Sequence, residues 1–152
     1  MKRFRPSRGP FAALAPAALT LVLAACAAAP EAPAPAPAGF PGGSWILVEL
    51  GGKAVADSVG EKIPTLAFAS EGTAGGSSGC NQYGTKWTLT GDSGIAFSEL
   101  WSTKMFCVDV LIEAEYYEMF RKTRAWRVEG DRLVLAGSDG TALAVFVRAD
   151  QP

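Results

Sequence analysis

No histidine occurs anywhere in the chain. That absence removes the side chain most often used as a general base near neutral pH, as the activator of a Cys or Ser nucleophile, and as a zinc ligand. Cysteines are few: Cys26, Cys80 and Cys107 are the only three. Without a histidine to complete the set, they fall short of the four ligands a structural zinc site takes. Basic residues do not outnumber acidic ones, at 14 against 15, and Lys2, Arg3, Arg5 and Arg8 crowd into the first ten positions. The ten basic residues that remain face all 15 carboxylates, so the rest of the chain is near −5. That sign excludes an electrostatic footprint for nucleic acid. The apolar run that follows the basic cluster, "FAALAPAALTLVLAA", has 15 residues, fewer than the roughly 20 a helix needs to span a bilayer.

A basic start, a short apolar run and small residues at its end compose an export signal over residues 1–25. It closes on "LAAC", residues 23–26, which resembles the lipobox of bacterial lipoproteins. That resemblance implies cleavage before Cys26 and acylation of its thiol and new amino terminus. The plainer alternative is an ordinary leader, with Cys26 a bystander. Acyl chains contribute about 0.8 kcal/mol per buried methylene, so several of them hold an otherwise soluble domain on a membrane. Ala27 follows the cysteine where Asp would mark retention, which is similar to an outer-membrane address, facing the periplasm. Residues 27–43, "AAAPEAPAPAPAGFPGG", contain 7 Ala, 5 Pro and 3 Gly in 17 positions. Such a tract buries no core and reads, with Cys26, as a tether reaching about 50 Å at ~3.1 Å per residue.

The domain expected over residues 44–152 is patterned as short strands. "WILVEL" places Trp45 and Leu47 on one face and Ile46, Val48 and Leu50 on the other. Residues 63–69 and the glycine-rich 73–78 read as two more strands. "WTLTGDSGIAF" and "WRVEGDRLVLAG" are each a Trp-led alternating run, a Gly-Asp turn and a second apolar run, as in a hairpin. A last strand covers 141–148, with Leu143, Val145 and Val147 on one face. Between the hairpins, the stripe Ile112, Tyr116, Met119 and Phe120 predicts a helix over 109–123 with Asp109 as N-cap. Glu113 and Glu115 lie early and Arg121, Lys122 and Arg124 late, the order the helix dipole favours. The fold class is therefore α+β and mainly antiparallel β: seven or eight strands in a curled sheet or half-barrel, packed on one α-helix.

One stretch, "GGSSGCNQYGTKW", looks built for chemistry. It has nearly the spacing of a phosphate-binding loop, but its order is Gly-Thr-Lys where the loop needs Gly-Lys followed by a hydroxyl, and a strand follows where a helix should start. Metal binding fails on ligand count, and no histidine is present to activate Cys80. For an exported domain the simplest reading of Cys80 and Cys107 is one disulfide; free thiols or a redox pair are the alternatives.

"SSGCNQYGT", then "STKMFC", then an acidic helix carrying Glu113 and Tyr116, resembles the META domain family. The residues that carry the likeness are Gly79, Cys80, Asn81, Thr103, Met105 and Cys107. The opening Trp45 and Leu47 with Gly51 or Gly52, and the closing Leu133, Leu135, Gly140, Leu143 and Phe146, extend it over most of 44–148. The flexible Gly-Gly-Ser-Ser run before Cys80 departs from the pattern and puts the length of that strand in doubt. The resemblance implies a small antiparallel half-barrel with one helix, often lipid-anchored and linked to envelope stress and antibiotic tolerance. It implies no reaction, no cofactor and no metal.

Three functions follow as expectations. The first is a non-catalytic envelope lipoprotein, held to the membrane by its N-terminal lipid and binding an envelope protein or polymer. The second is a carrier of an apolar small molecule or lipid, with Trp87, Trp101 and Phe106 lining a cavity, although such aromatics are more often core. The third is a thiol-dependent enzyme using Cys80 and Cys107.

Overall fold

The computed structural model describes residues 40–55, 62–69, 72–107 and 112–149. Among these residues, nine strands and one helix follow one another: β1 (Gly43–Leu50), β2 (Lys53–Ala54), β3 (Thr65–Phe68), β4 (Thr73–Ser77), β5 (Gln82–Thr90), β6 (Gly94–Ser102), α1 (Glu113–Lys122), β7 (Ala125–Glu129), β8 (Arg132–Ala136) and β9 (Ala142–Arg148). Every strand pairing is antiparallel, and neighbours in the sheet are neighbours in the chain apart from the exchange of β1 and β2. β1 also pairs with β9 from Trp45↔Arg148 to Leu50↔Ala144, so the expected curled sheet closes into a ring. Closure removes the two free edges that a half-barrel would expose. The ninth strand, beyond the seven or eight expected, is the two-residue β2, which the turn at Gly51 and Gly52 folds back on Glu49 and Leu50.

Both Trp-led segments form hairpins. In the second, Glu129 pairs with Arg132 across Gly130 and Asp131. A two-residue loop that matches strand twist needs φ above zero at its first position, and Gly130 supplies +65°. The seam between the hairpins is thin: β6 and β7 share the pair Gly94↔Ala125, flanked by bonds from Ile95 N to Arg124 O and from Trp126 N to Ser93 O. Helix α1 packs against β6 and β9.

Two strand faces differ from simple alternation. A bulge between Leu47 and Glu49 shifts the register of β1 against β9. An extra residue reverses which side chains point inward, so Leu50 joins Trp45 and Leu47 in the core while Ile46 and Val48 stay half-buried. In β9 the three successive residues Ala144, Val145 and Phe146 are all buried, and Leu143 and Val147 lie at half-buried positions.

The helix stripe behaves as its spacing predicts: Tyr116, Met119 and Phe120 are buried, and Ile112 packs at the margin of the core. Phe120 meets Phe97 at 4.9 Å and Tyr83 at 5.2 Å between ring centroids. The helix starts at Glu113, with Ile112 at the cap position and no side-chain cap. Asp109, expected as the N-cap, lies outside the described residues. At the other end, Thr123 Oγ1 donates to Met119 O at 2.8 Å.

Inside the ring, the hydroxyls of Tyr83 and Tyr116 lie 2.9 Å apart, and each donates to the carbonyl of Thr65, at 2.8 and 3.0 Å. Burial pushes both phenols well above their ordinary acidity range, so they stay neutral donors. Two protons thus serve three contacts. Tyr83→Phe or Tyr116→Phe alone should cost about 1 kcal/mol in chemical denaturation, because the remaining hydroxyl keeps the carbonyl satisfied. The double variant should lose more than the sum, since it orphans a buried carbonyl; strictly additive losses would contradict the shared arrangement.

Candidate functional site

The motif residues converge where the β4–β5 turn, the exit of β6 and the start of α1 meet. Gly79 turns the chain with φ +96°, a conformation other residues adopt at a cost, and its N–H donates to Ser77 Oγ at 3.0 Å. The turn closes through Ser78 N to Asn81 O at 2.8 Å and Asn81 N to Ser78 Oγ at 3.1 Å. Asn81, 3% exposed, then reaches across the gap. Its amide oxygen accepts from Thr103 Oγ1 at 2.8 Å and from Met105 N at 2.7 Å. Its amide nitrogen donates to Met105 O at 3.3 Å and to both carboxylate oxygens of Glu113, at 2.9 and 3.0 Å. Thr103 is fixed in turn by Gln82, whose N–H donates to Thr103 Oγ1 and whose carbonyl accepts from Thr103 N.

Glu113, the first helical residue, also accepts from the hydroxyl of Ser78 and from Tyr117 Oη at 3.1 Å. Burial alone would raise its pKa. The hydrogen bonds from Ser78, Asn81 and Tyr117 together outweigh burial, so the carboxyl titrates below the usual glutamate range. A carboxylate in the first turn is further favoured by the helix dipole. Cys80 and Cys107 are joined in a disulfide with Cα atoms 6.0 Å apart, which ties the same two chain segments that Asn81 bridges.

Chemically this is a joint whose polar groups bond one another. Ser78 is fully buried, and its hydroxyl is already bonded to the carboxylate of the half-buried Glu113. Both sulfurs of the pair are bonded to each other and offer no thiolate. No group of three or more Cys, Asp or Glu side chains able to hold a metal occurs among the described residues, and no helix there is long and apolar enough to cross a membrane. Met105 enters the joint through its backbone alone, with its side chain 63% exposed. Sequence reasoning gave Ser78 and Tyr117 no place in this joint, and read Glu113 only as part of the acidic helix of the resemblance. The signal for two of them was present: Glu113 and Tyr117 are one helical turn apart on the same face.

The three aromatics expected around an apolar cavity separate. Trp101 is 62% and Phe106 92% exposed, so neither belongs to the core, and Trp101 borders only an open surface depression. Trp101 pairs with Gly84 and lies over it from outside; a Cβ on Gly84 would sit 2.4 Å from Trp101 Cζ2. Phe106 lies between Met105, pinned by Asn81, and Cys107, pinned by the disulfide. Trp87 alone packs against the core. Depressions beside Trp101 and beneath Arg121, about 350 and 230 Å³, open to solvent and are not closed chambers. Cys26 lies outside the described residues.

Glu113→Gln would keep an acceptor for Ser78 and Tyr117 at Oε1 but set an amide N–H against the Asn81 amide in place of Oε2, and should lower stability by about 1 kcal/mol at pH 7. Because the folded carboxyl is the stronger acid, its stabilisation is complete above the ordinary glutamate pKa, about 4.3, and is lost as pH falls through the lower folded value. Wild type and Glu113→Gln should therefore converge in acid; a constant gap across denaturation curves from pH 7 to pH 2 would contradict the role of the charge. For the disulfide, thiol titration of unreduced, denatured protein should find no free thiol at Cys80 or Cys107. Replacing both with Ser should cost on the order of 3.5 kcal/mol for a closed loop of this length.

Comparison with known proteins bears on the whole domain. The model of the META domain family matches residues 38–150. No functionally curated protein matches the chain. Among solved structures, a protein from Burkholderia xenovorans is similar at 25% identity and a TM-score of 0.55, over 81% of this chain and 98% of that one. A DUF4847 family protein from Bacteroides vulgatus is similar in fold at 16% identity and a TM-score of 0.57, over 74% of this chain and 96% of that one. With the motif residues gathered into one joint and the family model spanning the whole ring, the chain belongs to the META domain family.

Proposed function

We propose that the chain is a lipid-anchored, non-catalytic META domain of the bacterial cell envelope, with a binding or stabilising role under envelope stress. The observation that carries the non-catalytic reading is the state of the motif. Its hydroxyls, amide and carboxylate bond one another at a buried junction, and its sulfurs bond each other. A site whose polar groups are already paired, with Ser78 and Asn81 buried, has little left to offer a reacting molecule. What remains available is surface: Trp101, Met105 and Phe106 stand exposed near the joint and suit contact with an envelope protein or polymer.

Support for the anchor comes from the sequence. The leader, the "LAAC" boundary and the Ala/Pro tract place an acylated Cys26 at the end of a spacer long enough to hold the domain clear of a bilayer. Ala27 favours the outer membrane, facing the periplasm. Cells fed an alkyne-bearing fatty acid should incorporate the label into the wild-type protein and leave Cys26→Ala unlabelled. An unlabelled wild-type protein recovered in the soluble periplasmic fraction would remove the anchor from the proposal.

A further inference from the structure

Phe40 belongs to no strand, yet its half-buried ring packs among three other aromatic rings. It stacks on Trp87 at 4.7 Å and 24° between ring planes, and meets Phe68 at 4.9 Å and Trp126 at 5.2 Å edge to face. The walls of this slot come from β3, β5 and β7; the occupant comes from the end of the tract that precedes the domain. From Pro41 onward the chain is held, since the Trp45 indole donates to Pro41 O at 3.1 Å and Arg148 Nη1 to Gly42 O at 3.3 Å. Phe40 itself is attached by its ring and by the bond its carbonyl accepts from Gly42 N. Leaving the slot therefore requires movement of Phe40 and what precedes it, not of the ring of strands.

A second, independent observation concerns the slot's wall. Trp45 and Trp87 each place their indole N–H on a backbone carbonyl, the latter on Thr73 O at 2.9 Å. Trp126 does not. Its Nε1 is the buried side-chain polar atom without a partner among the described residues, in a side chain 9% exposed. A buried donor left unpaired carries its full desolvation penalty, and such groups are rare in native proteins. The Phe40 ring packed against that indole has no lone pair to offer it.

We propose that this slot is a ligand site and that Phe40 is its resident plug. The ligand class is a flat, apolar small molecule carrying one hydrogen-bond acceptor, such as an aromatic carbonyl compound. It replaces Phe40, stacks on Trp87, lies edge to face with Phe68, and gives its acceptor to the Trp126 N–H. Expulsion of Phe40 ties occupancy of the slot to release of the segment that leads into the tract. The proposal is independent of acylation at Cys26, and places carrier chemistry on Trp87 while leaving out Trp101 and Phe106.

The test uses the mature protein and the fluorescent probe prodan, a naphthalene bearing a carbonyl, with unsubstituted naphthalene as the acceptor-free control. Phe40→Ala should bind prodan at least tenfold more tightly than wild type, with blue-shifted emission, because the intramolecular competitor is gone. Adding Trp126→Phe should weaken prodan at least threefold and leave naphthalene unchanged. A Phe40→Ala protein with native near-ultraviolet circular dichroism that binds prodan no better than wild type overturns the proposal, as does a Trp126→Phe effect equal for both probes. A second measurement does not depend on the stability of Phe40→Ala. In wild type labelled with 4-fluorophenylalanine, the 19F signal missing from Phe40→Leu should move to the position of a solvent-exposed ring at saturating prodan. A signal unmoved at saturation likewise overturns it.

Discussion

The fold depends on one primary amide in a place that few other side chains could fill. Asn81 must accept two hydrogen bonds on one atom, from Thr103 and Met105, and donate to a carboxylate and a carbonyl from the other. Aspartate would set a second negative charge against Glu113, leucine would leave the hydrogen-bonding groups of Thr103, Met105 and Glu113 without this partner, and glutamine is a methylene too long for the gap. Through this amide, the turn after β4, the chain leaving β6 and the first residue of α1 share one position. The helix has no side-chain N-cap, so its start is fixed instead by Glu113 held from outside. What that fixes is the depth of Tyr116 and Phe120, whose rings fill the space between Tyr83, Phe97 and Phe146. A polar joint at the rim thus sets the register of an apolar core.

Much of this was legible from residues alone, and the reason is periodicity. The two Trp-led runs announced hairpins because alternation and a Gly-Asp turn are local signals, and the helix stripe announced its buried face in the same way. Features that depend on distant partners were not legible. The bulge that moves Leu50 inward is set by pairing with β9, nearly a hundred residues along the chain. Trp101 looked like core because tryptophan usually is; only its pairing with a glycine on the neighbouring strand gives the ring an outer surface to lie on. The candidate site was legible in part. Asn81, Thr103 and both cysteines were singled out by resemblance, but the partners that explain them, Ser78, Glu113 and Tyr117, lie 32 to 39 residues apart in sequence, and spacing across such a gap says nothing.

The same geometry separates fold from binding. Residues that identify the family satisfy one another at the joint, so their pattern describes what the ring needs in order to close and pack. Residues free to meet something else lie elsewhere: Trp101, Met105 and Phe106 on the surface, and the aromatic slot around Phe40. These two kinds of site have different physical demands. An exposed aromatic offers area at the cost of leaving apolar surface in water, whereas a slot walled by aromatic rings offers stacking and edge contacts to its occupant on several sides.

The disulfide and Asn81 join the same two segments by unlike means, and the difference bears on where such a domain can work. The covalent bond acts largely on the unfolded chain, removing conformations it could otherwise visit, while the amide acts on the folded state by satisfying buried groups. A reducing compartment would remove the first and leave the second intact. The joint would then hold its geometry with a smaller margin, and the segment bearing Met105 and Phe106 would be fixed from one side only. Oxidising surroundings restore the disulfide and hold those exposed side chains in place. Under the proposed envelope address, export would deliver this pair of cysteines, 27 positions apart, to an oxidising compartment in which the fold has both of its ties.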